Sequence, residues 1–310
     1  MSIQNLYALY AVNVVAGANS VFIDQVTRQH YGITAARKLV RGGGSIFPGF
    51  VSLESQAFAI EIATTKVIST LAKVPVEGLA IATEGYLVEL AFQARAQGGI
   101  FAATGHQLAT ISLGRIALRS LAIPKTGPAL LALGIIPVWN GTDDPILLGS
   151  GLPAGAPLVS EVFGMGPVRL TAGGDPADVQ GLEDVNLDFG NTETVQRSGD
   201  DLWPTFVAGN GGLPSVLLKS TEALNLYAYG LKGAPLTACE IWLRQAKDGE
   251  TYYGDDEAKH CKIALVGRLD IEDLGADGEG DASSGLRITP VSASGAAILT
   301  ITPDQIIPEL

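Results

Sequence analysis

Residues 199 to 207 read GDDLWPTFV and residues 44 to 51 read GSIFPGFV, so an aromatic, a proline, a phenylalanine and a valine recur in both halves of the chain. Proline has no N–H to give a sheet and pushes the residue before it toward extended geometry, so it suits the start of a strand or an edge strand. Phe47-Pro48 and Trp203-Pro204 therefore predict strand entrances after a turn. The two prolines are 156 residues apart, and the same separation carries Ile60, Ile62 and Thr65 onto Val216, Leu218 and Thr221.

Other landmarks recur in the same order. Gly17-Ala-Asn-Ser-Val-Phe-Ile-Asp24 sets against Gly181-Leu-Glu-Asp-Val-Asn-Leu-Asp188 at a separation of 164, which implies that the second half has lost eight residues before its proline phrase. Leu90 to Gly98 falls on Ile241 to Gly249, His106 on His260, Gly114 to Leu118 on Gly267 to Ile271, and Leu133 to Val138 on Leu286 to Val291, at separations of 151 to 154. Ordered anchors at a nearly constant spacing mark an internal repeat. Gly and Pro crowd into LLGSGLPAGAPLVSEVFGMGPVRLTAGGDPADVQ, residues 147 to 180, so the joint lies there. We expect a first domain over 1–158 and a second over 159–310.

Within each repeat the apolar residues alternate. Phe58-Ala-Ile60-Glu-Ile62, Val185-Asn-Leu187-Asp-Phe189, Leu269-Asp-Ile271 and Leu299-Thr-Ile301 each put every second side chain on one face. Short runs of this kind separated by Gly, Pro, Asn and Asp predict a mainly β chain of two tandem β-sandwich or small-barrel domains. Each domain should carry one short helix, Lys66 to Lys73 capped by Thr64-Thr65 and Glu222 to Tyr229 capped by Ser220-Thr221. Gln25 to Ile46 and Gly190 to Leu202 read as long arms returning to the sheet. The first carries Arg28, Arg37, Lys38 and Arg41, and the second carries Glu193, Asp200 and Asp201.

Hydrophobic residues make up 47% of the 310 residues and charged ones only 17%, a globular composition with fewer solvating groups than a fully wet surface needs. The net charge of −12 is uneven: residues 1 to 155 carry +2 and residues 156 to 310 carry −14. A pI near 4.7 argues against a free nucleic-acid binder, which presents a basic face. The apolar run Ala129 to Ile136 is broken by Gly134 and stopped by Pro137, well short of a membrane span, so no membrane anchor is expected. MSIQNLYALY has neither the basic start nor the small-residue cleavage site of a signal peptide, and a cytoplasmic site of synthesis is expected. Cys239 and Cys261 are expected to be buried free thiols, and Asn140-Gly-Thr142 a plain turn.

The G-x-x-S-V-x-I-D opening, the long arm, the Gly-containing turn into aromatic-P-x-F-V, the x-I-x-I strand and the short Thr-capped helix together resemble the tail-tube proteins of long-tailed bacteriophages. The joint LPAGAPLVSEVFGMGPVRL is similar to the middle of duplicated members of that group, and the resemblance covers residues 10 to 305. It implies a structural protein of the virion tail, assembled in the host cytoplasm, whose partners are itself and other tail proteins. An inner sheet would line a lumen through which DNA passes without specific binding, and each arm would contact a neighbour or the next ring. Such rings commonly hold six domains, so a chain with two would form a trimer with pseudo-sixfold symmetry. Head-to-tail contacts close into rings when the rotation permits. An acidic second half would repel DNA from the wall and prefer the basic arm of a neighbour to its own kind. A hub, tip or terminator ring, or the tube of an injection machine, would share the fold. From another class, a monomeric β-sandwich binding module would need a cluster of exposed aromatics, which make up only 6% of the chain.

Catalytic or cofactor chemistry is not expected. No nucleophile elbow, Walker loop or H-E-x-x-H motif occurs, and Gly42-Gly-Gly-Ser45 lacks the lysine of a phosphate loop. His30 stands apart, while His106 and His260 hold equivalent places in the repeat, which points to a structural role. Asp277-Gly-Glu279-Gly-Asp281 spaces carboxylates as some calcium loops do but lacks the closing glutamate. Asp255-Asp256-Glu257 reads as an exposed loop face.

Overall fold

A computed structural model describes residues 6–41, 43, 47–95, 104–151, 161–172, 174–222, 234–248, 251–275, 283–292 and 297–309. In the first half the elements are β1 (Leu6–Val15), β2 (Val21–Ile23), β3 (Val26–Val40), β4 (Phe50–Thr64), α1 (Val67–Leu71), β5 (Leu79–Ile81), β6 (Leu87–Arg95), β7 (Gln107–Ile111), β8 (Gly114–Pro124), β9 (Leu130–Pro137) and β10 (Leu147–Ser150). In the second half they are β11 (Phe163–Thr171), β12 (Ala177–Asp178), β13 (Leu182–Asp188), β14 (Thr192–Gln196), β15 (Phe206–Asn210), β16 (Ser215–Ser220), β17 (Ala234–Gln245), β18 (His260–Gly275), β19 (Ser283–Pro290) and β20 (Leu299–Gln305). The protein is mainly β, built from large antiparallel sheets.

A five-stranded sheet runs β10-β7-β6-β1-β2. A thirteen-stranded sheet follows the path β12-β11-β17-β18-β19-β16-β13-β8-β9-β4-β3, with β20 added on β18 and β5 on β8, and β14-β15 forms a separate hairpin. The expected alternation puts Ile60, Ile62, Val185, Leu187 and Leu269 into the core while Ala59, Glu61, Asp188 and Asp270 face solvent. One continuous cluster of buried residues spans both halves.

The strand register repeats along the chain. Val12 pairs with Leu90 and Val168 with Ile241, each next to a β-bulge on the same strand. Ile60 pairs with Ile135 and Val216 with Ile288. Gly114 faces Pro137 and Gly267 faces Pro290, and a bulge follows at Leu118/Ser120 and at Ile271/Asp273. A side chain at Gly114 would run into the carbonyl oxygen of Ile136, and one at Gly267 into that of Thr289, so both crossings require glycine. These equivalences hold at separations of 151 to 156 residues.

The register differs from expectation at the first anchor. The Thr65 N–H donates to Gln25 O at 3.2 Å and the Thr221 N–H to Gly181 O at 2.9 Å, which equates Gln25 with Gly181. Ile23 pairs with Val12, and Val179 donates its N–H to Val168 O, which equates Ile23 with Val179. Both give a separation of 156, so the eight-residue deletion disappears. Gly17 to Asp24 and Gly181 to Asp188 match in letters because a short glycine-led β phrase carries little information; hydrogen bonding selects the other alignment.

The proline phrases behave as expected. β4 begins at Phe50 and β15 at Phe206, each two residues past its proline. The first arm is an extended hairpin of β3 with β4, and the second breaks at Gly190 and continues as β14 with β15. α1 is shorter than expected; the Thr64 hydroxyl accepts the Lys66 N–H at 3.0 Å just before it. Ser220 accepts the Glu222 N–H at 3.1 Å in the same way, and the helix expected to continue to Tyr229 lies outside the described residues.

Candidate assembly interface

The two halves meet where β13 pairs with the last part of β8, Asp188 with Ser120, Leu187 with Leu121, Asn186 with Ala122 and Val185 with Ile123. β8 is free to accept this partner because β5 covers only Gly114 to Ile116 of the same edge. Paired strands satisfy each other's backbone donors and acceptors, which an open edge leaves exposed. Arg119 occupies the bulge of β8 and crosses Gly134, where the absence of a side chain makes room for its guanidinium. Its Nη1 reaches Glu193 at 2.9 Å and donates to Asn191 O at 2.8 Å. The Asn191 amide in turn donates to Val76 O and Leu118 O.

Beyond this seam the second arm lies across the first half. Trp203 stacks on Phe58 with ring centroids 5.0 Å apart, and the Gln56 N–H donates to Leu202 O at 2.8 Å. Arg197 donates to Glu54 O at 2.7 Å, Trp139 donates its N–H to Pro204 O at 2.6 Å, and Lys125 pairs with Glu183. Ring stacking of this kind adds roughly 0.5–1.5 kcal/mol beyond area burial.

The predicted arm residues separate into two groups. Arg28, Arg37 and Lys38 are exposed on β3, opposite Ala63, Leu53 and Ser52, and Arg41 is exposed just past its end. They share one hairpin, and none of the four forms an ion pair among the described residues. Glu193 is taken up within the chain, its side chain 6% exposed against Arg119. Asp200 is exposed at the turn, and Asp201 accepts from Arg197 through its backbone carbonyl. Sequence reasoning missed Arg119 and Asn191. A signal existed: the apolar residues Ile116, Leu118, Leu121 and Ile123 skip one place at Arg119, and that lost alternation is the trace of a bulge.

Two stretches of strand in the large sheet lack a partner on one side among the described residues. β3 is its terminal strand and is exposed along nearly its whole length. At the other side, β18 past Leu269 pairs with β19 alone among the described residues. Beside β3 an apolar cleft of about 340 Å³ opens between Tyr31, Ile33, Phe58, Phe92, Ile146 and Leu148. Ile33 is 61% and Leu148 79% exposed there.

Several other polar groups bond within the fold. His106 Nδ1 accepts the Ala94 N–H at 3.2 Å and His260 Nδ1 accepts the Gln245 N–H at 3.3 Å, the same bond in each half. His260 Nε2 bonds Gly254 O at 2.8 Å, and His30 lies on β3 opposite Glu61. Asp255 is held by a forked bond from Arg244, which lowers its carboxyl below the usual range, and Glu257 accepts the Gly254 N–H. Cys239 and Cys261 are buried free thiols, each pushed up to about 12 chiefly by burial. The carboxylates Asp277 to Asp281 lie outside the described residues. Among the described residues no three His, Cys, Asp or Glu side chains are grouped to hold a metal, and no helix is long and apolar enough to cross a membrane. No family model and no curated protein matches the chain.

Proposed function

We propose that the chain is a ring-forming structural subunit of a phage tail tube, its two halves acting as tandem tail-tube-type β-sandwich domains with the boundary near residue 158. The observation that carries this reading is the seam between β13 and β8, which joins the halves edge to edge, while β3 ends the large sheet and β18 past Leu269 has, among the described residues, β19 as its one partner. Unlike edges favour head-to-tail addition, and head-to-tail addition closes into a ring when the rotation permits. Three chains would supply six domains. The +2 and −14 halves would alternate around such a ring, and its partners would be further copies, other tail proteins and DNA moving through the lumen unread. The subunit would be made in the host cytoplasm and end in the virion tail, with a structural rather than an enzymatic role.

Electron microscopy of the purified chain tests the reading. Rings or tubes with a central hole are expected. Rings that never stack would assign the chain to a hub, tip or terminator, and isolated monomers at high concentration would overturn ring formation in favour of a binding module.

A further inference from the structure

The repeat allows the seam inside the chain to be carried over onto other strands of the sheet. The structural repeat sets residues of β3 and β13 156 apart and residues of β8 and β18 153 apart. Moving the β13–β8 pairs by those amounts lands on the outer edge of β3 and on the end of β18, neither of which has a partner on that side among the described residues. Asn186 opposite Ala122 becomes His30 opposite Gly275, Leu187 opposite Leu121 becomes Tyr31 opposite Leu274, and Asp188 opposite Ser120 becomes Gly32 opposite Asp273.

The ion pair across the seam follows the same transfer with its signs exchanged. Arg119 becomes Glu272 and Glu193 becomes Arg37. Glu272, like Arg119, occupies the bulge of its strand. Its Oε1 already accepts from Arg287, the residue standing where the first half has Gly134, which leaves the other carboxylate oxygen for a second cation. Both charges changed and complementarity remained, so an interface of the first kind is matched by one of the second. Arg197, which donates to Glu54 O, transfers to Arg41 with its basic side chain unchanged.

The apolar cleft gives an independent sign of what covers this end. Ile33, Phe58, Ile146 and Leu148 transfer to Phe189, Pro214, Leu299 and Ile301. In the second half those four positions share a cleft with Leu71, Pro75 and Val76 of the first half, and Phe189 is 1% exposed. In the first half Ile33 and Leu148 are mostly in solvent, while Phe58 and Ile146 are half-buried. What shields the cleft in one half is the other half of the chain.

We propose that β3 of one copy adds antiparallel to the end of β18 of a second copy, in the register His30 to Gly275, with Arg37 paired to Glu272 and the cleft beside Tyr31 closed by the neighbour's second half. This rests on the ring reading for its closure but not for the contact itself. The occupant of the open edge is therefore another copy of this chain.

Disulfide trapping combined with microscopy tests it on the full chain. The native thiols are buried, so they do not compete. His30→Cys with Gly275→Cys should convert the monomer band on a non-reducing gel into a ladder of multiples. Arg28→Cys with Gly275→Cys, one pair out of register on the same face, should remain monomeric. Separately, Arg37→Glu should abolish assembly at moderate salt, and adding Glu272→Arg with Arg287→Glu should restore it. Rings without the in-register ladder, or with the out-of-register one, overturn this interface and leave the ring reading standing. A ladder of open chains without rings supports the interface and removes the closure. Monomers in every preparation overturn both.

Discussion

Arg119 and Glu193 meet at 2.9 Å where the second arm crosses the first half, and the glutamate side chain is only 6% exposed. Arg119→Ala leaves this carboxylate away from water without its guanidinium and removes the donor to Asn191 O. Such a loss costs about 2–4 kcal/mol. Denaturant unfolding should report that drop, with part of it recovered when Glu193→Gln is added. A change below about 0.5 kcal/mol, the size typical of an exposed pair, would show that the seam does not depend on this contact.

Lys66 is fully buried, and its Nζ lies 2.8 Å from Asp24, itself 12% exposed. Asp24→Ala strands a buried ammonium, at a cost of about 3–5 kcal/mol. Replacing both, Asp24→Leu with Lys66→Met, should restore most of the loss, because an apolar pair of similar volume avoids the desolvation of two charges. Thermal melts of the two variants compare directly, and a double variant no better than the single one contradicts this account.

The two equivalent histidines should differ in weight. His260 is completely buried and its ring joins Gln245 N–H to Gly254 O, whereas the half-buried His106 ring bonds only the Ala94 N–H among the described residues. His260→Ala leaves two backbone groups short of a partner, at about 1–3 kcal/mol each. His106→Ala should cost clearly less. Equal losses in urea unfolding would mean that packing, rather than the bonds, sets the cost.

The thiols predict an alkaline limit. Burial raises Cys239 and Cys261 from about 9 to about 12, so the unfolded chain ionises first as pH rises. Their contribution is whole below about pH 9 and is lost as pH climbs toward 12, by up to about 1.4 kcal/mol per pH unit for each thiol. Native protein at pH 8 should resist alkylation at both positions and react fully in denaturant. Cys239→Ser with Cys261→Ser should flatten this part of the alkaline slope.

Much of the strand pattern was legible. The alternation at Ile60 and Ile62, the proline entrances before Phe50 and Phe206, and the paired glycines Gly114 and Gly267 each follow from a local rule. The offset of the first anchor was not, because Gly17 to Asp24 matches Gly181 to Asp188 in letters, and only the bonds to Gln25 O and Gly181 O reveal the other alignment. Charge alone did not separate the arm residues: Arg37 stays exposed on β3, whereas the second arm folds Glu193 back onto Arg119. Nothing in the letters of an arm says whether it extends, as β3 does, or breaks at a glycine and turns inward, as the chain does at Gly190.

The seam also sets an order of events during synthesis. The edge of β8 is complete at Pro124, but its partner Asp184 leaves the ribosome about sixty residues later. At 5–20 residues per second, the edge waits about 3–12 s for its own chain. For that interval it is open to β3 of any neighbouring nascent copy, so crowded polysomes should yield more mispaired chains than sparse ones, and slower expression should raise the yield of soluble subunit.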